Sequence, residues 1–303
     1  MLPEDSEACN PLILTEKEEC ILEVVRDLVY VTAEDIKQLL YPERSLSTVQ
    51  RNLAKLASGQ NHVLYRFALP ATTRGMKHYC YTLSTKGREV LRVEGYYRPY
   101  KMRALSYSHI RHHLSLTRFV CSALVWCREH PQVRLADIRL SHELAGELGK
   151  AETASQGTPT PAPVVPDGWL HFELLDGANG AHTSYLPTLL EIDRGTEYRR
   201  RFQQHVSDRI EFIRNGKYAR FFGVEAVRIA YVVVGSRSQP LSSRLSAICA
   251  WTKEVLTDLK LEEWSDVFYL SSLIYEDIYN LKHFSEPIWR TPGDSKSKRL
   301  LKQ

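Results

Sequence analysis

The sequence predicts a chain of the α+β or α/β class, in which three helices and a β-hairpin precede a mixed sheet flanked by helices. Three observations support this prediction. Between residues 12 and 92, three stretches with the apolar spacing of helices precede two stretches of strand length. From residue 106 onward the predicted order is helix, three strands, helix, strand, helix and strand, which implies a parallel crossover. The charge of the chain also changes sign at residue 44.

Length and composition restrict the class of protein. At 303 residues the chain has room for two domains, and its content of 43% hydrophobic and 25% charged residues is typical of a soluble globular protein. No apolar run has the length of a membrane span, and the acidic first residues differ from the basic and apolar start of a signal peptide. We therefore expect a cytoplasmic protein without a membrane partner. The six cysteines lack C-x-x-C spacing, so we expect reduced thiols and no zinc site.

The chain divides by composition into four parts. We predict an N-terminal unit at 1–94, a basic aromatic connector at 95–105, a second unit at 106–285 and a basic tail at 286–303. Within the second unit, residues 145–163 are rich in small residues and proline without periodicity. We therefore expect a mobile loop there.

Helix-start signals place the first two helices. Thr15 and Glu18 form a capping box in front of an amphipathic stretch. Thr32 and Asp35 cap a second, shorter helix that continues through Leu40. Both signals come before the charge of the chain turns positive.

A third helix should begin near Ser45 or Ser47 and end before Gly59, followed by strands at about 62–69 and 77–83. Side chains on the exposed face of this helix can hydrogen-bond base edges or phosphates in a major groove. They are Thr48, Gln50, Arg51, Asn52 and Lys55.

This order of elements is typical of a winged helix-turn-helix, and the hairpin tip with Arg74 and Lys77 would be its wing. Residues 1–43 contain 3 Lys or Arg and 11 Asp or Glu, a net charge of −8, whereas residues 44–103 contain 12 and 2, a net charge of +10. A positive charge confined to one block predicts a polyanion, double-stranded DNA, as the partner. The alternatives are an ordinary solvated basic face and a helix-turn-helix that binds protein.

Two further groups leave alternatives open. The connector carries three tyrosines among basic residues, which could lie along a phosphate backbone or pack between the two units. His109, His112 and His113 share one helical face and could bind a metal, but no carboxylate or cysteine is near them in sequence. We therefore expect histidines at the surface or in ordinary hydrogen bonds.

An acidic motif marks the second unit. Asp167 lies near the start of one predicted strand, and Glu191 and Asp193 end the next one. Side chains at i and i+2 of a strand share a face, so Glu191 and Asp193 should point the same way, and a hairpin would bring Asp167 beside them. Three carboxylates at one point repel each other unless a cation lies between them, and oxygen ligands suit Mg²⁺ or Mn²⁺. The motif therefore predicts a metal site that faces a polyanion.

The helix after this motif is strongly basic. We expect Thr196 to cap it and Gly216 to follow its last turn. Its start carries Arg199, Arg200 and Arg201, where positive charge opposes the helix dipole. An anionic partner is needed there. It could be DNA phosphate or the carboxylates themselves, and an acid–arginine network of the second kind needs no metal.

Pro166-Asp167 on one strand and Glu191-Ile192-Asp193-Arg194-Gly195-Thr196 at the end of the next resemble the restriction-endonuclease-like core of PD-(D/E)xK nucleases. The whole chain resembles the replication–relaxation family of plasmids and other mobile elements, which includes a relaxase-type mobilisation protein. The resemblance implies a nuclease-like sheet in which Asp167 and Glu191 hold Mg²⁺ or Mn²⁺ against a scissile phosphate. Such a cation would activate the attacking water.

The sequence departs from the nuclease pattern at its last position, where Asp193 stands in place of the lysine. The following helix supplies no lysine before Lys217, and arginine is too basic to accept a proton. His205 on that helix could act as a general acid or base near neutral pH. The candidate catalytic set is therefore Asp167 and Glu191, which the resemblance implies, together with Asp193 and His205.

Two functions are open on this basis. In the first, the winged helix selects a DNA site of a plasmid or mobile element, and the nuclease-like unit nicks a strand in replication or mobilisation. In the second, the chain is a non-catalytic, dimeric DNA-binding regulator of transcription or replication on an inactive nuclease fold, since two-fold pairing extends a short contact. The missing lysine favours the second function, and the retained acids favour the first.

Overall fold

The computed structural model describes residues 14–59, 62–70, 78–92, 106–153, 165–175, 182–238 and 240–301. The chain divides into two units, Met1–Glu94 and Gly95–Gln303, and each has its own sheet. The predicted wing residues Arg74 and Lys77 and the predicted connector lie outside the described residues. No helix in the described ranges is long and apolar enough to cross a membrane.

The N-terminal unit combines helices with a small antiparallel sheet. Its elements are α1 (Glu16–Leu28), β1 (Val31–Thr32), α2 (Ala33–Leu40), α3 (Leu46–Leu56), β2 (Leu64–Leu69), β3 (His78–Leu83) and α4 (Thr85–Val90). The strand order in the sheet is β1-β3-β2. The three helices and the two strands after them lie where the sequence predicts them. β1 is additional, and its two residues are too few to show a period.

Both predicted capping boxes are present in this unit. The Thr15 hydroxyl accepts from the Glu18 N–H, and the Glu18 carboxylate accepts from the Thr15 N–H. Thr32 and Asp35 form the same arrangement, with Asp35 fully buried. The N-cap of α3 is Ser45. The apolar faces of the three helices form the core with Ile21, Leu22, Val25, Ile36, Val49, Leu53 and Leu56.

The second unit begins with a long helix and alternates helices with strands. Its elements are α5 (Tyr107–Glu129), β4 (Val133–Leu140), α6 (Ser141–Thr153), β5 (Gly168–Leu175), β6 (His182–Asp193), α7 (Arg199–Arg214), α8 (Lys217–Phe222), β7 (Arg228–Gly235), α9 (Leu241–Asp258), β8 (Phe268–Ile274), α10 (Lys282–Ser285), β9 (Trp289–Thr291) and β10 (Asp294–Lys298). Two 3₁₀ helices, Glu262–Val267 and Tyr275–Asn280, flank β8.

The strands of the second unit form one mixed sheet of seven strands in the order β10-β9-β8-β7-β6-β5-β4. β6, β7 and β8 are parallel, and the pairs outside them are antiparallel. β5 and β6 form the predicted hairpin, with Gly168 opposite Leu190. The connection from β6 through α7 and α8 to β7 is the predicted parallel crossover. The fold is therefore α+β with a mixed sheet.

Helices cover both faces of this sheet. One face, with Trp169 and Tyr231, packs against α6, α7, α8 and α9 in an apolar cluster. The other face packs against α5, because Phe172 of β5 and Phe119 of α5 both contact Phe284, with ring centroids 6.3 and 5.5 Å apart. Successive side chains of a strand point to opposite faces, so β5 contributes to both cores.

The prediction of a mobile loop over 145–163 is wrong for the first part of that range. α6 continues to Thr153, and its Leu144 and Leu148 are buried in the apolar cluster. These two leucines are one helical turn apart, but the small and charged residues around them dilute the pattern. The helix therefore depends on packing against the sheet, which the local sequence does not show. Residues 154–164 lie outside the described residues.

The prediction of a basic tail at 286–303 is also wrong, because the described part of this segment contains β9 and β10. The side chains of Trp289, Leu300 and Leu301 are buried. The lysines that suggested a tail are Lys296 and Lys298 of β10, the outermost strand. Lysine is common on edge strands, because its charge prevents pairing with other chains.

Thr196 does not cap the basic helix. α7 begins three residues later, and its N-cap Tyr198 makes no side-chain capping bond. The chain first turns through Gly195, with φ of 73°, and the Asp193 carboxylate accepts from the Gly195 N–H at 2.9 Å. This turn delays the start of the helix. The prediction for Gly216 is confirmed, since it follows α7 in the left-handed conformation.

Candidate functional site

The carboxyl end of β6 brings the predicted acids together from two strands. Glu191 and Asp193 end β6, and Asp167 directly precedes β5, the antiparallel neighbour of β6. The Oδ2 atom of Asp167 accepts from the main-chain N–H of Ile192 at 2.7 Å. The hairpin thus fixes the Asp167 side chain against the end of β6.

Asp167 is also paired with a histidine. Its Oδ1 atom lies 2.9 Å from Nε2 of His112 on α5. Burial alone would lower the pKa of His112 and raise that of Asp167. The hydrogen bond and the opposite charges outweigh burial, so the pKa of His112 is raised and that of Asp167 is lowered. The geometry therefore favours an imidazolium–carboxylate pair.

Glu191 is paired with an arginine from the basic helix. The Nε–H of Arg209 on α7 donates to Oε1 of Glu191, and the Arg209 side chain is only 2% exposed. Burial raises the pKa of Glu191 to about 7; Arg209 opposes this rise, and the charge of Asp167 adds to it. Burial would lower the pKa of Arg209, but Glu191 raises it above its ordinary value. The guanidinium is therefore a permanent cation beside Glu191.

Asp193 is held by a different arginine, from α9. Arg244 donates from Nε to Oδ2 of Asp193 at 2.7 Å and from Nη2 to Oδ1 at 3.0 Å. This two-pronged geometry is the strong form of an arginine–carboxylate bond. The Nη1–H of Arg244 donates to the main-chain oxygen of Glu197 at 3.0 Å. Asp193 thus ties the turn after β6 to α9.

His205 forms a separate pair on α7. Its Nδ1 atom lies 3.2 Å from Oε1 of Glu197. This hydrogen bond raises the pKa of His205 against the effect of burial, and it lowers the pKa of Glu197. The charge of His205 also lowers the pKa of Glu191. The structure therefore brings His205 into the electrostatic surroundings of Glu191, with Glu197 as its direct partner.

These partners decide whether the acids fit a divalent metal. A cation held by Asp167 and Glu191 would compete for Asp167 with the N–H donors of His112 and Ile192, and it would share Glu191 with a buried guanidinium. Within the described ranges, no three or more His, Cys, Asp or Glu side chains are arranged to hold a metal ion. The residues present do not fit the Mg²⁺ or Mn²⁺ that the nuclease resemblance implies.

The three arginines at the start of α7 are exposed, and two are paired with glutamates. Arg199 lies 2.7 Å from Glu254, and Arg201 lies 3.5 Å from Glu197. Arg200 forms no ion pair with the part of the chain that the structure describes. The anionic partners that the helix start requires are thus partly supplied by the protein, from acids other than the three around β6.

On α3, most of the predicted DNA-contacting side chains face solvent. The exposed ones are Gln50, Arg51, Asn52 and Lys55. Thr48 is half-buried, and its hydroxyl lies 2.9 Å from that of Ser45. Lys55 is 3.0 Å from Glu18 of α1, although its side chain is 75% exposed.

The sequence analysis did not predict which cations pair with the acids. His112 is 55 residues from Asp167 along the chain, and Arg244 is 51 residues from Asp193. Arg209 offered one signal, because it occupies an inward position of an amphipathic helix. A buried arginine requires an acid beside it.

Comparison with known proteins places the chain in a family. The family model described as replication-relaxation matches residues 22–225, which include α3 and the acids around β6. No curated protein and no solved structure matches the chain. Because the matched segment covers more than half of the 303 residues, the chain belongs to the replication-relaxation family.

Proposed function

We propose that the chain is a sequence-directed DNA-binding protein of replication or mobilisation, and that α3 makes the DNA contact. Membership of the replication-relaxation family indicates a role in one of these processes. The observation that carries the proposal is the exposed polar and basic face of α3. The order helix, strand, helix, helix, strand, strand around it is that of a winged helix, in which the third helix enters the major groove.

The charges around α3 single out Arg51. Lys55 has a carboxylate partner in Glu18, whereas Arg51 forms no ion pair with the described residues. A free guanidinium on a recognition helix can donate two parallel bonds to guanine or contact a phosphate. Arg51 is therefore the side chain on which we expect binding to depend most.

We expect Arg51→Gln to weaken specific binding by about 1–3 kcal/mol, because it removes either a base contact or a phosphate contact. Wild-type protein would first select its site from a pool of random duplexes. The affinity for the selected duplex would then be measured by fluorescence anisotropy at several salt concentrations. The salt dependence should become shallower by about one counterion if Arg51 contacts phosphate.

Lys17→Gln is the matched control, because it removes the same charge from an exposed position of α1. It should leave the affinity within about twofold of wild type. Equal affinities of Arg51→Gln and wild type for the selected duplex would remove α3 from the interface. The same titration gives the number of chains per duplex. We propose two, since one helix reads few base pairs and a two-fold pair reads a palindrome.

We further propose that the acids around β6 serve a structural charge network, which corresponds to the non-catalytic alternative. Asp167, Glu191 and Asp193 each have a basic side chain within hydrogen-bond distance, and Asp167 and Asp193 also accept main-chain N–H groups. A metal would have to displace these basic partners or share the carboxylates with them. These contacts support an acid–base network that needs no metal, but its bases are His112, Arg209 and Arg244 and not the arginines at the start of α7.

A further inference from the structure

A small pocket opens at the carboxyl ends of the parallel strands, on the side of the sheet that packs against α5. Its volume is about 50 Å³. It is lined by Arg111 and Ser115 of α5, Arg194 after β6, Val234, Gly235 and Ser236 around the end of β7, and Tyr275 after β8. In sheets with parallel strands, ligands commonly bind outside the carboxyl ends of those strands.

Two positive charges meet in this pocket, and no acidic side chain is among its lining residues. Arg194 donates from Nη1 to the main-chain oxygen of Ser108 at 3.0 Å, which uses one of the five N–H donors of its guanidinium. Burial, and then the like charge of Arg111, lowers the pKa of Arg194. Two neighbouring guanidinium groups repel each other, so the arrangement gains stability when an anion lies between them.

Contacts outside the pocket hold its walls in place. The guanidinium of Arg118 lies 4.1 Å from the ring centroid of Tyr275 and donates to its main-chain oxygen at 3.3 Å. The Ser115 hydroxyl donates to the main chain of α5 one turn earlier. The nearby carboxylate of Asp277 is engaged by Arg237 at 2.5 Å. These contacts restrain the residues around Arg111 and Arg194.

We propose that Arg111 and Arg194 bind a phosphate group of a nucleotide or nucleic acid strand in this pocket. Guanidinium groups present planar forks of N–H donors that match phosphate oxygens, and a pocket of this size suits one such group. This site goes beyond the proposed DNA contact of α3, because its residues all belong to the second unit.

The decisive experiment titrates the full-length protein with inorganic phosphate by isothermal titration calorimetry. Wild type should show saturable binding, and Arg111→Gln should weaken it by about tenfold or more. Arg111 makes no side-chain hydrogen bond to the described residues, so this variant should fold; its thermal melting would verify that. Arg111→Lys should restore part of the affinity, because it keeps the charge but loses the fork.

Arg214→Gln is the control, since it removes an exposed arginine in the last turn of α7, outside the pocket lining. It should bind phosphate as wild type does. Absence of saturable phosphate binding in wild type, or equal weakening by Arg111→Gln and Arg214→Gln, would overturn the proposal. Arg51→Gln should bind phosphate normally, so failure here is distinguishable from failure of the α3 assignment.

Further titrations identify the source of the phosphate. They compare a nucleoside 5′-monophosphate, an oligonucleotide with a 5′-phosphate and the same oligonucleotide with a 5′-hydroxyl. Dependence on the terminal phosphate would assign the pocket to a strand end. Equal binding of the two oligonucleotides would assign it to the internal backbone, and preference for the mononucleotide would assign it to a free nucleotide.

Discussion

The side chains Asp167, Glu191, His112 and Arg209 form a group in which a basic side chain lies beside each acid. A guanidinium that is 2% exposed costs several kcal/mol to bury unless an anion is beside it, and Glu191 is that anion. Asp167, which would otherwise repel Glu191, is held by the His112 imidazole. The repulsion between the two carboxylates is therefore offset, because a basic side chain lies beside each of them.

We expect Asp167→Asn to destabilise the second unit by about 2 kcal/mol at pH 5.5 and by clearly less at pH 8.5. The folded-state pKa of His112 lies above its ordinary value of 6.5. The pairing therefore stabilises the fold fully below pH 6.5, and this contribution is lost as the pH rises through the folded-state pKa. Because the pKa of Asp167 is lowered from 3.8, its own contribution is lost only as the pH falls through that lowered pKa. The asparagine supplies no charge to His112 at either pH.

Urea unfolding followed by tryptophan fluorescence measures this effect, since all five tryptophans lie in the second unit. Asp137→Asn is the control: Asp137 pairs with Arg139 at 3.0 Å, and its side chain is 39% exposed. Exposed pairs contribute about 0–1 kcal/mol, so this change should matter little at either pH. Equal destabilisation by Asp167→Asn at both pH values would show that His112 is not charged in the folded state.

Some helices and strands form because of signals in their own sequence, whereas others form only because they pack against distant parts of the chain. α1 and α2 carry their own capping boxes, and the apolar run of β7 gives its bounds directly. These elements could be predicted. α6 and β9 could not be predicted. They are stabilised by the burial of Leu148 and Trp289 in cores whose other residues come from distant parts of the chain. Turn geometry explains the late start of α7, where the Asp193 side chain bonds to the main chain before Thr196 is reached.

β9 supplies a test of how far the second unit depends on its last strands. Trp289 is fully buried, and its indole N–H donates to the main-chain oxygen of His283 at 2.6 Å. We expect Trp289→Ala to cost about 3–5 kcal/mol in the free energy of unfolding, because it removes a large side chain and leaves a cavity. The measurement is urea unfolding, followed by the fluorescence of the four remaining tryptophans.

Arg290→Ala is the control for Trp289→Ala, since the neighbouring side chain on β9 points the other way and is exposed. It should change the free energy of unfolding by less than about 0.5 kcal/mol. A chain that ends at residue 285 should fail to unfold cooperatively, because β8 would become an edge strand and lose its cover. Wild-type stability of that shortened chain would restore the interpretation of 286–303 as a tail.

For the whole molecule, the position of the acids was predictable and their partners were not. The strand pattern and the hairpin bring Asp167 to the end of β6, which local spacing is sufficient to predict. His112 and Arg244 reach the acids only through the packing of α5 and α9 on opposite faces of the sheet. A set of acids that resembles a metal site in sequence therefore becomes, once folded, a set of ion pairs.

Because the acids form ion pairs, we can predict whether the full-length protein nicks DNA. Supercoiled plasmid that carries the selected binding site would be incubated with wild type in Mg²⁺, in Mn²⁺ or in EDTA. We expect binding without nicking in all three, because the carboxylates that would hold the cation are already engaged by His112, Arg209 and Arg244. Glu191→Gln removes the anion beside the buried Arg209 guanidinium, so thermal melting must first verify that the variant is folded. The folded variant should bind without nicking, as wild type does. Nicking that requires the metal and disappears in Glu191→Gln would instead mean that Arg209 yields its place to a cation when DNA binds, and the chain would then be a nuclease.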